Sequence, residues 1–64
     1  LLTDREFQVL GRLASGATNR EIAAELNVSV KTIDAHRLNL LAKLGLRNNA
    51  ELTKFAMRHG VVQV

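Results

Sequence analysis

Apolar residues recur along this chain at spacings of three and four, in four blocks separated by short polar or glycine-bearing stretches. That is the period of amphipathic helices, not of strands. The first block opens after Thr3, because Thr3-Asp4-Arg5-Glu6 has the Ser/Thr-x-x-Glu spacing of a capping box, with Leu2 before it as a hydrophobic staple. Phe7, Val9, Leu10, Leu13 and Ala14 continue this helix and Gly16 ends it. Gly11 in its middle costs about 1 kcal/mol against alanine unless another backbone comes close. Thr18-Asn19-Arg20-Glu21 repeats the capping device, and Ile22, Ala23 and Leu26 then mark a helix of about two turns. A third helix is predicted from Val30 to Leu44, stopped by Gly45. Asn48-Asn49-Ala50-Glu51 offers the cap of a fourth, running to Gly60. The spacing therefore predicts an all-α, four-helix domain with short connections.

Residues 19 to 36 refine that picture. Two short helical patterns meet at a tight turn, with a small residue, Ala23, where the second helix must cross the first. Asn27 occupies the turn, where a left-handed backbone is tolerated by Gly and, less comfortably, by Asn or Asp. Ser29 follows as an N-cap between the apolar anchors Val28 and Ile33. These positions agree on a helix-turn-helix, which makes double-stranded DNA the leading partner.

On the third helix, with Ile33 at zero and about 100° per residue, Leu40, Leu44, Val30 and Leu41 form the expected core stripe. Lys31, Ala35, Leu38 and Ala42 fall on the opposite side, with Asp34 between. Such a face, bearing small or uncharged residues and one Lys, suits a groove about 12 Å wide. Thr32, His36, Asn39 and Lys43 run along one border as donors suited to phosphate oxygens. Arg37 falls inside the apolar stripe, so its stem is expected to pack there while the guanidinium reaches past the edge toward phosphate. Leu38 is either a scattered exposed apolar residue or a contact for a thymine methyl, and Asp34 is either a surface charge or an acceptor for a cytosine amino group. His36 reads as a packed or phosphate-bonded imidazole, since His59 is distant and neither a Cys nor a paired carboxylate completes a metal shell.

Charge agrees with this assignment. The net charge is +3, with residues 29 to 48 contributing +3, residues 49 to 64 +1, residues 17 to 28 −1 and residues 1 to 16 zero. The excess thus sits on the third helix, where a polyanion contact needs it. With 64 residues and no Cys, the chain can build one small core without a disulfide or thiolate metal site, which fits a reducing cytoplasm. Its apolar runs are far shorter than the ~20 residues that span a bilayer, so no membrane partner is expected. Catalysis is not expected: there is no glycine-rich phosphate loop and no nucleophile with a base and an orienter, and Asp4 and Glu6 read as helix-start carboxylates. No cofactor or metal is implied. Beginning without Met at a helix entry signal, residues 1–64 read as a single helix-turn-helix domain cut from a longer regulator.

In the fourth helix, Leu52, Phe55, Ala56 and His59 share the face expected toward the core. Ala50, Thr53 and Met57 lie about 100–160° away, a small and mildly apolar face that allows close approach of an identical helix. A homodimer is expected, because one reading helix covers few base pairs and two double the site.

Residues 2 to 62 resemble the LuxR-type (GerE-type) DNA-binding domain, and most of all the C-terminal output domain of NarL-like two-component response regulators. The resemblance rests on Leu-Thr-Asp-Arg-Glu at 2 to 6, Gly-Ala-Thr-Asn-Arg-Glu-Ile-Ala at 16 to 23 and Leu-Asn-Val-Ser-Val-Lys-Thr-Ile at 26 to 33. His36, Lys43-Leu44-Gly45 and Arg47 complete it. It implies a third helix in the major groove and a fourth that dimerises on DNA, both released by phosphorylation of a separate receiver domain. It also implies base-reading positions at Lys31, Asp34, Ala35 and Leu38. Backbone contacts are implied at Thr18, Asn19, Arg20, Ser29, Thr32, Arg37, Lys43, Arg47 and Asn48. Many relatives carry Lys where Asp34 stands, which bears on the operator sequence, and Phe7 and Gly11 also differ from the usual charged or large residues.

RNA polymerase is a further candidate partner. Two rival readings are a sigma-factor-like promoter-recognition domain, which needs no dimer, and a helical protein-interaction module whose basic helix meets an acidic partner. Two copies on a palindrome would disfavour the first, and failure to retain any duplex at low salt would favour the second.

Overall fold

Each helix begins where a side chain accepts from an amide that the helix itself leaves unpaired. In the computed structural model, which describes residues 2–58, four helices follow one another: α1 (Asp4–Ala14), α2 (Asn19–Leu26), α3 (Val30–Leu44) and α4 (Asn49–Arg58). Thr3 and Thr18 close reciprocal capping boxes with Glu6 and Glu21, and Ser29 accepts from the Thr32 amide. At α4 the Asn48 side chain accepts from the Glu51 amide at 2.9 Å, while Glu51 accepts from the Arg47 amide at 2.8 Å. Helix ends follow equally local chemistry. Asn27 closes α2 with φ 58° and Gly45 closes α3 with φ 68°, both in the left-handed region that a Cβ disfavours. The expected extension of the fourth helix to Gly60, and its His59, lie outside the described residues.

The four helices meet in one core built from Val9, Leu10 and Leu13 of α1, Ile22 and Ala23 of α2, Ile33 and Leu40 of α3, and Leu52 and Ala56 of α4. Ala23 is buried at the crossing of α2 with α3, and its carbonyl accepts from the Val28 amide in the turn at 3.0 Å. One apolar expectation is corrected. Val30, placed in the core stripe of the third helix, is 41% exposed. It is the first residue of α3, and a helical side chain leans toward the N-terminus, so this one points beyond the helix and its packing partners. Phe7, counted with the apolar residues of the first helix, is half exposed. Glu6 takes the inward position instead, because it shares the three-and-four spacing of Val9, Leu10 and Leu13.

Burying Glu6 requires a partner for its charge. Lys43, near the end of α3, donates to Glu6 Oε1 at 2.7 Å, and the Thr3 amide donates to the same oxygen at 3.0 Å. The Lys43 hydrogen bond, then that of Thr3, hold this carboxyl below its ordinary 4.5 against the opposing effect of desolvation. A carboxyl with a depressed folded-state pKa contributes stability that is complete above the unfolded value and disappears as pH falls through the folded one. The thermal midpoint is therefore expected to drop as the pH is lowered below about 4.5. Glu6→Gln, which keeps an acceptor for Thr3 without the charge, should flatten that acid limb in melts followed by circular dichroism. An unchanged limb would assign acid sensitivity to other carboxylates.

Candidate nucleic-acid interface

The side of α3 that turns away from the core is open along its first three turns. Lys31, Asp34, Ala35 and Leu38 are all exposed, Leu38 to 67%. None of the four supposed base-reading positions is sacrificed to packing, so the face is available to a groove.

Two other helices border this strip with their N-termini. The Asn19 side chain, on the first residue of α2, donates to Asp34 Oδ1 at 2.6 Å, which brings the segment Thr18, Asn19, Arg20 against the second turn of α3. Arg37 Nε donates to Asn49 Oδ1 at 3.2 Å, which brings Arg47, Asn48 and the start of α4 alongside the next turn. Both N-termini meet at the Arg37 guanidinium, so they lie along one edge of the strip, and their partial positive charge makes that edge favour anions. Arg20, Lys31 and Arg47 are exposed and add full charges.

The supposed backbone-contacting residues divide by what else they hold. Arg20 and Arg47 are exposed cations, Thr18 and Ser29 are exposed N-caps, and Asn48 is exposed while its carbonyl oxygen caps α4. Thr32 is half-buried and shares a hydrogen bond of 2.9 Å with the Ser29 hydroxyl. Lys43 is engaged with Glu6. Asn19 and Arg37 are half-buried and bonded to each other, the guanidinium donating to the Asn19 carbonyl oxygen. Burial draws the Arg37 pKa below its ordinary value while the Asp34 carboxylate opposes that shift, and the guanidinium stays charged.

The sequence reading missed two features here. Glu6 closes the capping box as its spacing predicts, and its register with Val9, Leu10 and Leu13 is the signal for the burial and the cationic partner that the spacing alone does not show. The bonds joining Asn19, Asp34, Arg37 and Asn49 carried no local signal, because they connect residues on three helices. Among the described residues, His, Cys, Asp and Glu form no group of three or more suited to a metal, and no helix is long and apolar enough to cross a membrane.

On α4, Leu52 and Ala56 are fully buried and Phe55 partly so, while Ala50 and Met57 are exposed and Thr53 half-buried. The face expected to meet a second copy is thus distinct from the face that meets the core.

A tight helix-turn-helix, an open face on its second helix and an anion-attracting border are the features of a DNA-binding domain of the kind found in transcription regulators. The chain belongs to the GerE family of bacterial regulatory proteins, the luxR family, whose pattern matches residues 1–56. It is 46% identical over 63 residues to "Uncharacterized response regulatory protein YgeK" of Escherichia coli (strain K12), covering 98% of this chain and 43% of that protein. It is 40% identical over 63 residues to "Oxygen regulatory protein NreC" of Staphylococcus aureus (strain JH9), covering 98% of this chain and 29% of that protein. The chain therefore spans less than half the length of either relative. Membership in this family implies DNA binding and transcription regulation.

Proposed function

We propose that this domain binds double-stranded DNA sequence-specifically as the output domain of a cytoplasmic transcriptional response regulator, with α3 in the major groove. The observation that carries this reading is the open strip of Lys31, Asp34, Ala35 and Leu38, bordered along its Asp34–Arg37 flank by the N-termini of α2 and α4. Arg20, Arg47, Thr18 and Asn48 from that border, with Ser29 and Thr32 at the start of α3, grip the phosphates and supply most of the affinity, with the steep salt dependence that counterion release imposes. Lys31, Ala35 and Leu38 supply discrimination through base edges and thymine methyls. Lys43 can reach phosphate only by sharing its ammonium with Glu6, so it is a lesser contributor than Arg47. Ala50, Thr53 and Met57 of α4 form the dimer face, which pairs two reading helices on successive half-sites. RNA polymerase is the further partner such a regulator acts on.

Selection of bound sites from a random duplex pool tests this reading. A short motif in inverted or tandem copies is expected. Lys31→Ala should broaden the motif with little loss on random DNA, whereas Arg47→Ala should weaken every duplex alike and reduce the salt slope by about one. Equal losses on specific and random duplexes for both variants would contradict the division of roles. Retention of no duplex at low salt would refute DNA binding and favour a protein partner.

A further inference from the structure

Asp34 is a carboxylate on the face that would approach a polyanion. In isolation it would oppose binding. Its surroundings in the fold answer that objection. Asn19 Nδ2 donates to Asp34 Oδ1 at 2.6 Å, Arg37 donates through one terminal nitrogen to the Asn19 carbonyl oxygen, and Arg37 Nε donates to Asn49 Oδ1 at 3.2 Å. A relay therefore runs from the first residue of α4, through a guanidinium on α3 and the first residue of α2, to the carboxylate. Asn19 satisfies both neighbours in one orientation only, with its oxygen toward the cation and its amino group toward the anion. Arg37 also compensates the carboxylate's charge through space. The carboxylate is thus immobilised and electrically balanced without being used up, since an ionised Asp has about four acceptor sites and Asn19 takes one.

A carboxylate accepts and never donates. In the major groove cytosine presents an amino group at N4 and adenine one at N6, whereas guanine and thymine present carbonyl oxygens at O6 and O4. Resting on the reading that α3 enters the major groove, we infer that Asn19, Arg37 and Asn49 are positioning residues that hold Asp34 as a fixed acceptor. Asp34 thereby selects a base with an exposed amino group and rejects one with a carbonyl edge. A hollow of about 200 Å³ lined by Asp34, Arg37, Leu38 and Asn49 lies beside the carboxylate, and it gives a base edge or a bridging water room to approach. Asn19 and Arg37, implied by resemblance to be phosphate contacts, serve recognition here by orienting a neighbour.

Site selection from a random duplex pool, run in parallel on the unaltered chain and its variants, tests this assignment. The unaltered chain is expected to show one motif column dominated by cytosine or adenine, preferred by roughly 5- to 100-fold as one good base contact provides. Asp34→Ala should flatten that column and leave the others intact, and Asp34→Asn, which can also donate, should admit thymine or guanine there. Asn49→Ala should weaken the same column without moving affinity for random DNA or the thermal midpoint, and should add nothing in an Asp34→Ala background. Asn49→Asp, which still accepts from Arg37, should restore the column. If the unaltered chain selects a motif and Asp34→Ala leaves every column unchanged, groove binding stands and this inference falls. If Asn49→Ala lowers all sequences equally, the positioning role falls. If the unaltered chain retains no duplex, both readings fall together.

Discussion

Leu40→Ala is expected to bring the domain to the edge of unfolding at room temperature. Leu40 is fully buried on α3, in the core that all four helices share. Truncating such a leucine costs about 2–5 kcal/mol, from lost transfer energy and from the cavity left behind. A core of this size supplies roughly 3–5 kcal/mol of net stability, so one substitution consumes nearly all of it. Urea titration followed by helical ellipticity measures the effect, and the same experiment on Leu38→Ala is its internal control. Leu38 is as large and lies two residues away, yet it is 67% exposed, so its truncation should barely shift the midpoint. A Leu40→Ala midpoint as small in its shift as that of Leu38→Ala would mean that α3 does not carry the core.

The largest effect on function is expected from Ala35→Glu, which should abolish duplex binding while leaving the fold intact. Ala35 is exposed in the middle of the strip, and glutamate is a good helix former, so nothing in the domain resists the change. Against DNA the added carboxylate meets base edges and two rows of phosphates, and the exposed Lys31 one turn earlier offsets it only in part while being drawn away from the groove itself. Like-charge juxtaposition at an interface costs several kcal/mol, which corresponds to a loss of about 100-fold or more. Fluorescence anisotropy with a selected duplex, alongside a thermal melt, separates the two properties. Binding close to that of the unaltered chain would remove α3 from the groove. Asp34 differs in being held by the hydrogen-bonded relay of Asn19, Arg37 and Asn49, which does not extend to position 35.

Much of this was legible in the chain. Thr3, Thr18 and Ser29 start helices in the structure where their side chains were expected to accept from the following turn, and Asn27 and Gly45 end them in left-handed conformations. The opposition of Ile33 and Leu40 to Lys31, Ala35 and Leu38 on α3 was also readable, because helical periodicity assigns faces once one apolar stripe is known. The stripe failed at Val30, where a regular wheel ignores the end of the helix. On α1 the capping role of Glu6 is observed as expected, and the backbone register adds what the cap alone does not show, that the same side chain turns inward.

Capping and periodicity involve residues within about one helical turn of each other, and for that reason the sequence by itself determined the helix starts, the tight turn and the side of α3 left exposed. Tertiary structure decided the polar partnerships. Glu6 and Lys43 are 37 positions apart, Asn19 and Arg37 are 18, and Arg37 and Asn49 are 12. Whether such pairs meet depends on how the helices cross, which the summed packing of the whole core fixes and no local pattern encodes. The same crossing brought the starts of α2 and α4 together at Arg37, along one flank of α3, and joined Asp34 to them through Asn19.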